Sequence, residues 1–190
     1  MLPVGQSSAS FSWLFAVLIL QRVLELLLCR RNRRALHARG GREFHPETYP
    51  VVVALHVLFL LSLSIESHPW RIPLDLLTFG CLAALVPVTL LRYWAIASLG
   101  ENWTTRIVVV PGERVKRSGP YRFLRHPNYL VMVMEFILTP LLLRAPVTLV
   151  VFSLCNMWVL RLRVRLEEKA LRELTDYEEK FPGTRRTVND

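Results

Sequence analysis

Apolar stretches of roughly bilayer-spanning length alternate along the chain with short polar connections. Five can be drawn, at residues 11–29, 48–66, 74–99, 128–143 and 146–166. They predict an all-α integral membrane protein with five transmembrane helices, built as a single domain over residues 1–190. The third stretch is long and contains Pro87, which predicts a kink or tilt; the fourth is short. Only LLRAP separates the last two, so they are expected to form an antiparallel helical hairpin. Beyond the fifth stretch, Leu162, Leu166, Ala170, Leu174 and Tyr177 recur at three- or four-residue spacing. The helix should therefore continue into the cytosol as far as Pro182-Gly183, with one apolar face to cover, and the loop 100–126 is the nearest candidate to cover it.

Charge gives the arrangement a direction. Of the 24 Lys and Arg residues, 20 fall in three blocks: 30–42, 106–125 and 161 to the end. The other two connections carry only Arg71 and Arg144. The positive-inside rule places the three basic blocks in the cytoplasm, hence the N-terminus outside and the C-terminus inside. Basic loops against anionic lipid account for the pI of about 10.2, and no aromatic-interleaved basic module points to nucleic acid. A positive cluster follows the first stretch rather than preceding it, so that stretch reads as a span and not a cleaved signal. Cys29, Cys81 and Cys155 lie in or beside apolar stretches without CxxC spacing and read as small core residues. No cluster has metal-ligand spacing, and no P-loop, Ser elbow or GxGxxG is present.

The charges that enter the spans gather near their inner ends. Arg22 and Glu25 are three apart on one helix face, Arg92 closes the third span, and Glu135 lies two turns into the fourth. Arg161, Arg163, Glu167 and Glu168 bracket the inner end of the fifth. Such groups cost several kcal/mol in lipid unless paired or wet. Glu135 is too short to snorkel to the interface, and His56, alone in VVVALHVLFLL, reads as a packing residue.

The densest polar chemistry is GPYRFLRHPNYL, residues 119–130, immediately before the fourth span. Pro127 suits the first position of a helix, which puts His126 at the cap beside free N–H groups and the positive end of the dipole. Arg122 and Arg125 add positive charge, Tyr121 and Tyr129 add aromatic faces, and Gly119 lets a backbone or ligand approach closely. An anion-binding site and a plain interfacial anchor of Arg and Tyr both fit these residues.

Taken in order, Val115, Gly119, Tyr121, Arg125, His126, Pro127 and Tyr129, then a helical hairpin, then Arg163, Glu167 and Glu168, resemble the isoprenylcysteine carboxyl methyltransferase family. LGENWTT, residues 99–105, resembles the family's approach to this loop, and the likeness covers about residues 90–181. Many members carry Gly two residues after the last Tyr, where this chain has Val131. The short chain and the RHPNYLVMVMEF wording look closer to bacterial members thought to O-methylate alkylpyrones or alkylresorcinols.

The resemblance implies S-adenosylmethionine as cofactor, bound at the cytoplasmic face of a membrane protein by residues 99–181. The acceptor would be lipophilic and arrive from the lipid: a phenol or enol of a long-chain polyketide, or the carboxylate of a prenylated cysteine. Under that reading His126 and the start of the fourth helix hold the cofactor's carboxylate. Tyr121 and Tyr129 face adenosine or sulfonium, and Glu167 or Glu168 binds ribose hydroxyls or the amino group. Arg163 orients Glu167 or the acceptor oxyanion, and Glu135 is the general base for a hydroxylic acceptor. An NADPH-dependent lipid reductase and a non-enzymatic membrane interaction protein are the alternatives.

Overall fold

The computed structural model describes residues 8–181. In chain order the elements are β1 (Ser8–Ser10), α1 (Ser12–Ala38), β2 (Arg42–Phe44), α2 (Thr48–Glu66), β3 (Arg71–Pro73), α3 (Leu76–Leu99), β4 (Ile107–Val109), α4 (Pro127–Leu142), α5 (Pro146–Leu174) and α6 (Tyr177–Lys180). Among the described residues, α1, α2, α3 and α5 are long and apolar enough to cross a membrane, and α4 is a shorter apolar helix of 16 residues. The protein is thus an all-helical integral membrane protein, with four helices of spanning length.

Its surface and interior are distributed as lipid demands. Leu20, Leu24 and Leu27 of α1, Leu90 of α3, and Leu154 and Trp158 of α5 are exposed, whereas Glu25, Arg92 and Asn156 are buried. Hydrocarbon solvates the first group, while polar groups at membrane depth must find partners inside the protein. Cys155 is also exposed, unlike the buried Cys29 and Cys81, so it is not the core residue expected from the sequence. The apolar core joins α2, α4 and α5 around Phe59 and Phe136, whose rings stack 4.2 Å apart. Glu66 at the end of α2 accepts the backbone N–H groups of Val147 (2.8 Å) and Thr148 (2.7 Å), capping the start of α5. Ser153 Oγ of α5 donates to the Phe136 carbonyl of α4 (3.2 Å) across the short turn that joins the two helices.

Three departures from the sequence reading shape the end of the molecule that carries the loop after α3. The first helix does not stop at residue 29. It runs to Ala38 through the arginine block, because Asn32 and Leu36, four apart on one face, are buried there. Asn32 Nδ2 donates to the carbonyls of Gly100 (3.0 Å) and Trp103 (2.8 Å), which fastens the extension to the loop after α3. Next, the polar connection between the first two spans contains β2, which pairs antiparallel with β4 in the register Arg42↔Val109 to Phe44↔Ile107. Finally, the C-terminal helix breaks at Thr175, whose backbone is extended. Asp176 turns there to accept the Val115 N–H (2.7 Å), and Gly112 N donates to the Leu174 carbonyl (2.8 Å). The expected stop at Pro182-Gly183 lies outside the described residues. The apolar face of α5 is covered by Ile107 and Val109, which pack with Ala170, Leu166 and Leu174.

Candidate active site

The RHP segment is shaped by two devices. Gly119 has φ +56°, and a Cβ there would stand 2.0 Å from Ser98 Oγ and 2.9 Å from Trp94 Nε1. Glycine thus lets the loop lie against the end of α3, and the turn Gly119–Arg122 follows, burying Tyr121. Pro127 then opens α4 with His126 at its cap.

Around this start the side chains interlock with α5. Tyr129 Oη donates to Glu167 Oε2, and the Tyr129 and His126 rings stack with centroids 5.4 Å apart. His126 Nε2 meets Glu168 Oε1 at 3.2 Å. Tyr177 Oη donates to the same oxygen (3.1 Å), and Arg172 Nη2 donates to Glu168 Oε2 (2.9 Å). Arg163, 4% exposed, donates from Nη2 to the Thr105 carbonyl (2.8 Å) and from Nη1 to Thr48 Oγ1 (3.3 Å), so one guanidinium joins α5, α2 and the β4 approach. Burial and the Glu167 charge both push the Tyr121 hydroxyl well above the ordinary phenol range, so it stays a donor.

Deeper in the membrane half, four charges close a ring. Arg22 donates to Glu25 (2.8 Å) and Glu135 (2.5 Å), and Arg92 donates to Glu25 (2.6 Å) and Glu135 (2.5 Å). Gln21 adds a bond to Glu25 (3.2 Å). The ring carries two positive and two negative groups from α1, α3 and α4, so it is neutral overall while being largely buried. Neutrality and mutual hydrogen bonding offset the desolvation of each member. The Arg22–Glu25 pair is visible in the sequence as an i,i+3 spacing. Its closure through Arg92 and Glu135 is tertiary, and the available signal is that all four are charges placed within apolar stretches.

One cavity of about 340 Å³ joins the two regions. Of the site residues expected from the sequence, Val115, Tyr121, Arg125, His126, Tyr129, Arg163 and Glu167 line it. Gly119, Pro127 and Glu168 are not part of the lining; they shape the segments that are. Glu135 is outside the lining too, behind Arg22 and Arg92, which face the cavity together with Glu25. Sequence reasoning did not single out Trp103 or Asn128. Both line the cavity, and Trp103 Nε1 and Asn128 Oδ1 are buried without a hydrogen-bond partner among the described residues. Buried polar atoms of this kind ordinarily find one, so a donor and an acceptor are presented where water or a ligand in the cavity could pair with them. The wall of α2, with Val52, Val53, Val57 and Leu60, is apolar apart from His56 and, at the start of the helix, Tyr49.

Burial works against a charged His126, but the hydrogen bond it donates to Glu168 and the charges of Glu167 and Glu168 outweigh it and hold its pKa above the ordinary value. The resulting stabilisation is complete below the unfolded-state pKa of about 6.5 and disappears as pH rises through the raised folded value. The melting-temperature advantage of wild type over His126→Gln in detergent should accordingly be largest near pH 6 and shrink toward pH 9. An advantage that grows with pH would contradict the assignment.

Apolar helices closed around a cavity whose lining passes from apolar to charged side chains define a polytopic membrane protein with a partly polar pocket. Residues 81–173 match the isoprenylcysteine carboxyl methyltransferase (ICMT) family. The chain is 40% identical over 163 residues to the uncharacterised protein YpbQ of Bacillus subtilis (strain 168), covering 86% of this chain and 97% of that one. It is 27% identical over 161 residues to an uncharacterised protein of Haemophilus influenzae, covering 84% and 94%. No solved structure matches it. The chain belongs to the isoprenylcysteine carboxyl methyltransferase family, whose members are membrane methyltransferases using S-adenosylmethionine.

Proposed function

We propose that this chain is a single-domain O-methyltransferase that passes a methyl group from S-adenosylmethionine to a lipophilic acceptor at the cytoplasmic membrane face. In this reading α4 and α5 form a fourth and fifth span as a hairpin, with the N-terminus outside and the C-terminus inside. The observation that carries it is the single cavity, charged and aromatic at the RHP end and apolar along α2. Two ligands from different phases can meet in such a space.

The residues present fit the cofactor. A zwitterionic amino acid, two ribose hydroxyls, an adenine and a sulfonium call for cations, carboxylates and aromatic faces. His126 and Arg125 supply the first, Glu167 the second, and Tyr121 and Tyr129 the third, with Trp103 Nε1 and Asn128 Oδ1 free to pair. When bound, the cofactor supplies an electrophilic methyl on sulfur. The chain's own part is positioning and exclusion of water. His126 and the start of α4 hold a carboxylate, Glu167 accepts from hydroxyl or ammonium, and Arg163 fixes α5 so that Glu167 stays in place. Arg22 and Arg92 present guanidinium groups toward the acceptor oxygen. Glu135 has its Oε2 shared between those two arginines, so its role is to aim them and not to take the acceptor's proton.

The acceptor class is a phenol or enol of a long-chain polyketide, such as an alkylresorcinol or alkylpyrone, or the carboxylate of a prenylated cysteine. Calorimetry in detergent tests the reading. S-adenosylhomocysteine should bind wild type, with at least about tenfold weaker binding to His126→Ala, as expected for losing a charge-assisted hydrogen bond. NADPH binding in its place would make the protein a reductase, and binding of neither would leave RHPNY an interfacial anchor.

A further inference from the structure

We infer that His56 is the general base of this enzyme and that its acceptor is a long-chain molecule with a weakly acidic hydroxyl, a phenol or enol still protonated at neutral pH. The inference rests on the methyltransferase reading above. Its starting point is His56, the imidazole that stands among Val52, Val53, Val57 and Leu60 on the α2 wall of the cavity. His56 Nδ1 lies 2.8 Å from the Val52 carbonyl, one turn back in the same helix. A carbonyl oxygen only accepts, so Nδ1 carries the hydrogen. A neutral ring with that tautomer has its lone pair on Nε2. No group among the described residues hydrogen-bonds Nε2. The ring is also held in orientation: it stands edge-on to Phe136, 5.2 Å away at 78°, and Phe136 is itself stacked on Phe59.

The other basic atoms around the cavity are engaged. Glu25 accepts from Arg22, Arg92 and Gln21. Glu135 accepts from Arg22 and Arg92. At the far end Glu167 accepts from Tyr129, and His126 is joined to Glu168. His56 Nε2 lies on the cavity lining without a hydrogen-bond partner among the described residues, so it is placed to take an acceptor's proton. Arg22 and Arg92 line the same cavity, so an oxygen that loses its proton to His56 has guanidinium groups to hold the charge that develops. Val53, Val57 and Leu60, on the same helix as His56, give an alkyl tail an apolar wall.

The step balances as follows. The acceptor O–H bond breaks, its proton passing to Nε2 and its electron pair remaining on oxygen. That oxygen would take the methyl group that bound S-adenosylmethionine would supply, the pair of the C–S bond remaining with sulfur. The proton then leaves the imidazolium for water. A carboxylate acceptor, already ionised, has no use for such a base.

His56→Asn tests the assignment, because an Asn amide can reproduce the Nδ1–H bond to Val52 but has no atom at Nε2. In protein with ¹⁵N-labelled histidine, the signal lost in this variant should report a protonated Nδ1 and a bare Nε2. Its Nε2 resonance should move when 5-pentadecylresorcinol is added with S-adenosylhomocysteine. Turnover of 5-pentadecylresorcinol should fall about 10²-fold or more in the variant, and turnover of N-acetyl-S-farnesylcysteine far less, with S-adenosylhomocysteine affinity retained. A hydrogen on Nε2, a resonance that ignores the resorcinol, equal losses with both acceptors, or a wild type that methylates the carboxylate alone would each overturn the inference. All four leave cofactor binding intact. A wild type unable to bind S-adenosylhomocysteine would instead defeat the methyltransferase reading itself.

Discussion

Arg92→Met is expected to cost about 3–5 kcal/mol of stability, the range for removing one partner from a buried ion pair. Arg92 is 2% exposed and donates to both carboxylates of the ring, at 2.6 Å to Glu25 and 2.5 Å to Glu135. Without it, two carboxylates share the single guanidinium of Arg22, and a net negative charge is left largely buried between helices. Methionine fills much of the volume, so the loss reports charge and not a void. The variant should melt far below wild type in detergent or fail to accumulate. Adding Glu25→Gln to Arg92→Met restores neutrality and should recover a large part of the deficit. A single variant that melts with wild type, or a double variant worse than the single, would mean the ring is not what keeps these charges in the membrane.

The second large effect concerns ligand binding. Glu167→Ala should weaken S-adenosylhomocysteine about 10- to 100-fold, the equivalent of one charge-assisted hydrogen bond of about 1.5–3 kcal/mol. Glu167 lines the cavity and is oriented by Tyr129 from one side. Its neighbour Glu168 is the contrasting control. It is not part of the lining and is bonded by His126, Tyr177 and Arg172. Glu168→Ala should therefore lower the melting temperature more than Glu167→Ala does, while weakening the ligand less. Calorimetry and thermal melting of the two variants side by side decide it. The reverse pattern would exchange the roles of the two carboxylates.

The fold was legible in proportion to how local its causes are. Long apolar runs announce helices because each must satisfy its own backbone in lipid, and α2, from Thr48 to Glu66, coincides with its sequence boundaries. The end of α1 was hidden because arginines at 30, 31, 33 and 34 read as an interfacial block. Only the bonds that Asn32 makes to the loop after α3 and the burial of Leu36 reveal the helix. The ribbon of β2 and β4 is three residues on each strand, too short to show alternation. At the site, the residue types in RHPNY and the Arg163–Glu167 spacing were readable. Which carboxylate faces the cavity was not, since Glu167 and Glu168 are adjacent and helix rotation decides between them. Likewise Glu135 could be seen as a charge out of place, but not as one shared by two arginines from other helices.

The charge ring also limits how this protein can be rearranged. Two of its members, Arg22 and Glu25, come from the first helix, and two, Arg92 and Glu135, from the stretch that matches the family. A chimera that borrows α1 from a relative with a different charge pattern would inherit half a circuit and an unbalanced charge in the bilayer. Recombination and acceptor engineering alike must move these four positions as one unit.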